Sequence, residues 1–223
     1  MIDLHTHTVF SDGELIPAEL VRRAEFAGYK AICMTDHADE STMYLTLENV
    51  LRFVQNHGHF YDINVLAGVE LTHIHPALIP EMVAKARKAG AQIVVMHGET
   101  PVEPVAPGTN LAAIEAGVDI LAHPGLITDE EVKLSIEKGV ALEVTTRGGH
   151  SYTNGHVVAL ARKHGARLVV NNDAHAPKDL IGRELRRTIA LGAGLSAEEY
   201  RQTEANAWEI VQRCMKSSRK NTI

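Results

Sequence analysis

The chain has 223 residues, 45% hydrophobic but only 4% aromatic, enough for one sizeable, mainly aliphatic core within one or two domains. Its 28 acidic against 22 basic residues give a formal charge of −6, which argues against a nucleic-acid scaffold, because such affinity rests on clustered Lys and Arg. No apolar run approaches the ~20 residues of a membrane span, no secretory leader is recognisable, and Cys33 and Cys214 lack paired spacing, so a soluble cytoplasmic protein with two reduced, structural thiols is expected.

In chain order, the first apolar run, 2–7, carries His5 and His7 two apart, so both project from one face of a strand whose side-chain period is two. After Ser11, Asp12 and Gly13 the period changes: over 16–28, Leu20, Val21, Ala24 and Ala27 share a helical face, Pro17 sits in the first turn and Gly28 stops the helix. Further strands are predicted at 31–37, 65–70, 92–97 and 118–123, ending at His37, Glu70, His97 and His123. A strand at 141–146 finishes beside Arg147, and one at 167–173 ends at Asp173, with His175 two residues on. Helices are predicted at 80–90, 128–139 and 156–165, each closing on a glycine suited to a C-cap. Residues 100–108, with three prolines and a glycine, predict an irregular loop beside His97. Residues 196–217 predict a long closing helix, with Ser196 and Glu199 at capping-box spacing and Trp208, Ile210 and Val211 packed on the barrel.

Seven strand-then-helix units in one domain over 1–223 predict an α/β fold, a distorted (β/α)7 TIM-like barrel. An open doubly wound sheet fits the alternation too, but it gathers its ligands at one switch point, whereas here nearly every strand ends in a polar candidate. A parallel barrel brings those carboxyl ends together at one mouth. Imidazole and carboxylate are the usual ligands of zinc, manganese and iron, and catalysis needs several of them with an open position.

Through HTHTVFSDG at 5–13, TDH at 35–37, GVE at 68–70, MHGE at 96–99, AHPG at 122–125 and NDAH at 172–175, the chain resembles the PHP family, the polymerase and histidinol phosphatase domains, over nearly its whole length. The resemblance implies a distorted seven-unit barrel and two to three divalent ions of zinc, manganese or iron. One ion takes His5, His7, Glu70 and Asp173; a second shares Glu70 and adds His97 and His123; a third takes Asp12, His37 and His175. Some relatives have histidine in place of Asp12, which gives the third position more taste for manganese or iron than for zinc. Such a centre predicts a phosphatase or phosphodiesterase acting on a phosphorylated small molecule, through in-line attack by a metal-bridging hydroxide. Glu70 and Asp12 then serve catalysis as ligands.

Around this set, Arg147 is either a clamp on the substrate phosphate or a surface residue of a flexible loop. Asp36 should point away from His37 as an orienting or structural carboxylate, and Ser11 should hydrogen-bond within the SDG turn. His73 and His75 are expected as loop residues at the mouth, with a proton-donor role as the alternative, and His57, His59 and His164 as solvent-facing. Roles for His150 and His156 stay open. Two other functions compete: a C–N or C–O metallohydrolase of amidohydrolase type, and a non-catalytic metal-binding module. The amidohydrolases place a bridging lysine on a central strand, and no lysine occurs in the strand ending at His97. An intact set of ligands argues against the module.

Overall fold

The computed structural model describes residues 1–220, with side chains as far as residue 216. The apolar runs form strands β1 (Ile2–Thr6), β2 (Ala31–Met34), β3 (His37–Ala38), β4 (Asn64–Leu71), β5 (Ile93–His97), β6 (Ile120–Ala122), β7 (Ala141–Thr145) and β8 (Leu168–Asn171). All pairings are parallel, in the order β1-β2-β4-β5-β6-β7-β8, with β3 paired to β4. Between and after them lie helices α1 (Pro17–Phe26), α2 (Met43–His57), α3 (Ile79–Lys88), α4 (Thr109–Ala116), α5 (Asp129–Lys138), α6 (Asn154–His164), α7 (Arg183–Gly192) and α8 (Ala197–Lys220). The result is a nearly closed, TIM-like seven-strand α/β barrel, as expected.

The expected strand at 31–37 is in fact two. The eight-residue β4 pairs with β2 along its first half and with β3 along its second, where His37 lies opposite Glu70. The break falls at Thr35 and Asp36. Thr35 donates its amide to the Thr6 carbonyl, and the buried Asp36 carboxylate is claimed by the Thr8 amide and the Thr8 and Ser11 hydroxyls. After β3 the chain turns into α2 from Met43 onward.

Closure between β1 and β8 rests on one bridge, Thr6 to Ala174, rather than a ladder. Side chains supply the missing hydrogen bonds: the Leu4 amide donates to Asn171 Oδ1 at 2.9 Å and the Asn172 amide to Asp3 Oδ1 at 3.2 Å. Arg186, 1% exposed on α7, donates from Nη2 to the carbonyls of both Ile2 and Val170. A buried guanidinium is costly without such partners, so it staples the seam at the point where the strands do not pair.

The barrel interior is apolar below and polar above. Leu66 on β4, Ile93 and Val95 on β5, Ile120 on β6 and Val169 on β8 join one core cluster. Two to four residues further along the same inward faces come Glu70, His97, Glu143 and Asn171, all buried. From α8, Ala207, Ile210, Val211 and Cys214 enter that apolar cluster as a stripe spaced three and four apart. Trp208 does not pack on the barrel as expected: it is 37% exposed, one residue off the stripe. The cap of α8 is as expected, the Ser196 amide donating to Glu199 Oε2 and the Glu199 amide to Ser196 Oγ.

Candidate metal centre

A shift in strand register within β1, between Asp3 and Thr6, departs from strict alternation. It lets Leu4 join the core while His5 and His7 both face Glu70 and Asp173. His5 Nε2 is 3.3 Å from Glu70 Oε1, and His7 Nε2 is 3.2 Å from Asp173 Oδ1 and 3.5 Å from Glu70 Oε2. His123 Nε2 approaches Glu70 Oε1 and Asp173 Oδ2 at 3.6 and 3.7 Å. His97 meets the His123 ring edge-on at 4.5 Å between centroids. Asp12 Oδ1 lies 3.2 Å from His175 Nε2, 3.7 Å from His37 Nε2 and 4.0 Å from His7 Nδ1. All nine residues expected as ligands thus meet at the carboxyl ends of the strands. Four overlapping sets have ligand atoms mutually within 4.8 Å: His5, His7 and Glu70; His5, His123 and Asp173; His7, Asp12, His37 and His175; and His97, His123 and His150.

Close approach of the loops depends on glycine, as at Gly13, Gly98 and Gly125. A Cβ on Gly13 would lie 2.5 Å from the His7 carbonyl oxygen, and one on Gly125 only 1.9 Å from that of Glu99. Among the described residues, three other than glycine hold positive φ, His73 at 52°, His123 at 27° and Asp173 at 53°, and all three border this centre. Such backbone costs about 1–3 kcal/mol per residue and persists where the surroundings impose it.

The electrostatics call for a cation. His5 Nε2, both nitrogens of His7, Glu70 Oε1, His123 Nδ1 and Asp173 Oδ1 are buried without a hydrogen-bond partner, and Glu70 Oε2 lies 2.7 Å from His37 Nδ1. Each such atom costs about 1–3 kcal/mol if left uncompensated. Burial favours the neutral form of Glu70, but the charges of His5 and His37 outweigh it and hold its pKa well down. Asp173 is pushed up to about 6, chiefly by burial, with the neighbouring Glu70 charge adding to it. Burial and the neighbouring histidine charges lower His7 and His123 well below the usual imidazole value, which keeps their nitrogens free to ligate. The donor set suits a divalent ion of the zinc, manganese or iron type.

Several supporting residues escape the sequence pattern. Glu143, midway along β7, accepts from His5 Nδ1 at 2.8 Å and from Asn171 Nδ2 at 2.8 Å, which turns His5 Nε2 towards Glu70. The His175 Nδ1–H donates to the Asp173 carbonyl at 3.0 Å, and His37 Nδ1 contacts Thr72 Oγ1 at 2.7 Å. His150, 6% exposed, stacks on His123 at 4.2 Å, and Glu103, from the proline-rich loop, reaches His97, His73 and His150. A lone acid inside the apolar run ALEVT was a readable signal for Glu143; Glu103 lies in a loop and His150 opens a short 3-10 helix, and neither gave one.

Arg147 stands at the same mouth, Nη1 donating to the Asp173 carbonyl at 3.3 Å and Nε 3.7 Å from Asp173 Oδ2. With Thr146, Asn172, His175, Lys178 and Asp179 it lines a cavity of about 400 Å³. Asp36 contacts no histidine through its carboxylate hydrogen bonds; with Ser11 it fixes the turn that carries Asp12. His75 caps a short turn by accepting from the Ala77 amide, and His57 and His59 are exposed, as expected. His164 is not solvent-facing: it is 15% exposed and paired with Asp129.

The PHP domain family model matches residues 3–165. Among curated proteins, an uncharacterized protein of Methanocaldococcus jannaschii is 50% identical over 203 residues, covering 90% of this chain and 93% of that protein. A probable phosphatase of Clostridium novyi is 27% identical, covering 78% and 79% respectively. Ribonuclease P protein component 3 of Methanosarcina barkeri is 28% identical, covering 91% and 84%. Among solved structures, the histidinol phosphate phosphatase of Lactococcus lactis, complexed with zinc, L-histidinol and phosphate, superposes with a TM-score of 0.56 at 16% identity, covering 87% of this chain and 94% of that one.

Proposed function

The chain belongs to the PHP domain family, and on that footing we propose that it is a metal-dependent hydrolase of phosphate esters acting on a phosphorylated small molecule. The observation that carries the reading is the set of buried, unpartnered nitrogen and carboxylate atoms on His5, His7, Glu70, His123 and Asp173, directly beside an arginine and a polar cavity. In this reading His5, His7, Glu70 and Asp173 hold one ion, Glu70 with His97 and His123 a second, and Asp12, His37 and His175 a third. His7 lies close enough to Asp12 to belong to either neighbour. Divalent ions held there make water nucleophilic at neutral pH and neutralise charge on a phosphoryl group.

The chain's own residues supply the rest. Glu143 orients His5, and the Asp173 carbonyl orients His175. Arg147 grips the phosphate, its guanidinium already at the rim of the cavity and matched to a planar or tetrahedral oxyanion. Thr146, Asn172 and Lys178 face the leaving group. A phosphorylated small molecule fits the polar lining of about 400 Å³ better than a nucleic-acid strand, which needs a basic groove with stacking aromatics.

The likeness to a ribonuclease P component favours a second reading, a subunit of an RNA–protein assembly without chemistry of its own. The net charge of −6 and the complete donor set weigh against it. The discriminating experiment is a phosphate-release screen of the metal-loaded protein on histidinol phosphate, mononucleotides, nucleoside bisphosphates and sugar phosphates. Turnover of one class supports the hydrolase and names its substrates; bound metal with no turnover supports the alternative.

A further inference from the structure

Glu103 projects from the loop 100–108 into a ring of imidazoles. Its Oε2 lies 3.2 Å from His97 Nε2 and 3.3 Å from His73 Nε2, and its Oε1 lies 3.4 Å from His150 Nε2. The loop is built to hold it there. Glu99 Oε1 accepts from the amides of Gly108 and Asn110, pinning the loop's far end, and Pro101, Pro104 and Pro107 stiffen the chain between. Val102 packs beside Gly149, and Thr100 Oγ1 contacts His150 Nδ1 at 2.8 Å, so the loop and the segment carrying His150 form one wall.

The geometry of this contact suits a metal ligand. His97 Nε2 faces the Glu103 carboxylate while Nδ1 lies 3.2 Å from the Gly98 carbonyl. The separations of 3.2–3.4 Å lie close to the edge of about 3.3–3.4 Å in a tetrahedron with zinc-like bonds of about 2.0–2.1 Å.

We propose that Glu103 is a displaceable carboxylate ligand of the second metal position, acting beside His97, His123 and His150, and that it gives way to an anionic group of the substrate. The inference rests on the reading of His97 and His123 as metal-holding residues. His97, His123 and His150 bring three imidazoles within ligand distance of one another, and Glu103 as a fourth donor gives a set that is closed by the standards of zinc sites. An incoming oxyanion therefore needs a ligand to leave. Glu103 is the one suited to do so: its side chain is 36% exposed, whereas those of His97, His123 and His150 are 2%, 1% and 7% exposed.

The test compares the full-length, manganese- or zinc-loaded protein with Glu103→Gln and His150→Ala, after checking that the metal-free forms share one unfolding midpoint. Chelator competition should show both variants releasing one class of ion about 10–100-fold more readily. Calorimetry with inorganic phosphate should show tighter binding in Glu103→Gln alone, because no carboxylate has to be displaced. Wild-type metal retention in Glu103→Gln overturns the ligand role, and unchanged or weaker phosphate binding overturns the displacement. Failure of both wild type and variant to bind phosphate, with metal retained, contradicts the phosphoester reading and the displacement together; chelator competition still decides the ligand role.

Discussion

Glu143 and His5 are joined by a 2.8 Å contact between Oε2 and Nδ1 with both side chains fully buried, one on β7 and the other on β1. The carboxylate fixes the ring proton on Nδ1 and leaves Nε2 as a lone pair aimed at Glu70 and Asp173. Burial alone would depress the His5 pKa, but the surrounding charges of Glu70, Glu143 and Asp173 raise it well above the usual value. A carboxylate behind a ligating imidazole raises its basicity and locks its orientation.

Substituting Glu143→Gln keeps the shape and removes the charge. Metal affinity at the position served by His5 should fall about 10–100-fold, with little change in fold. Chelator competition on the purified variant measures it, and wild-type affinity would deny Glu143 this role.

Glu70 contacts His5, His7, His37 and His123 at 3.6 Å or less, and in the proposed reading it is shared by two metal positions. Glu70→Gln should therefore lose metal from both at once and lower activity by orders of magnitude. Elemental analysis of the variant after equal reconstitution reads this directly; loss from one position alone would contradict a shared carboxylate.

Arg147→Ala removes the guanidinium at the cavity rim, which lies 3.7 Å from Asp173 Oδ2 but is not itself a proposed ligand. Phosphate affinity should fall about 10–100-fold, in line with ~1.5–3 kcal/mol for a hydrogen bond to a charged group, while metal content stays unchanged. Product inhibition by phosphate, compared in the two proteins, checks it. Equal inhibition would return Arg147 to a surface role.

Away from the centre, Asp129 at the first turn of α5 accepts hydrogen bonds from Lys163 and then His164, which lower its pKa from 3.8 to about 2. A depressed carboxylate pKa contributes stability above its unfolded value and loses it as pH falls through the folded one. Asp129→Asn should thus unfold at lower urea than wild type at pH 7, and the gap should close between about pH 4 and pH 2. A gap independent of pH would show that charge is not the cause.

The pattern of strand ends made most of the centre legible. Period-two side chains on parallel strands put His5, Glu70 and His97 at one mouth, and His123 and Asp173 reach it just past the ends of β6 and β8. Two things hid from the same rule. The register shift in β1 and the break at Thr35 and Asp36 depend on hydrogen bonds to Thr6, Thr8 and Ser11 that no periodicity encodes. Glu103 and His150 reach the centre from a loop and a short helical turn whose path is set by packing between Val102 and Gly149, and such geometry is not a local property of sequence. Trp208 failed for the opposite reason: size suggested burial, but the helical stripe of Ala207, Ile210, Val211 and Cys214 had no place for it.

The most direct test of the central claim is phosphate release from small phosphate esters by metal-stripped protein, before and after manganese, iron or zinc is added back. No phosphate should be released before, and at least one ester class should be turned over after. Full reloading of metal with no ester hydrolysed under any of the three ions would contradict that claim.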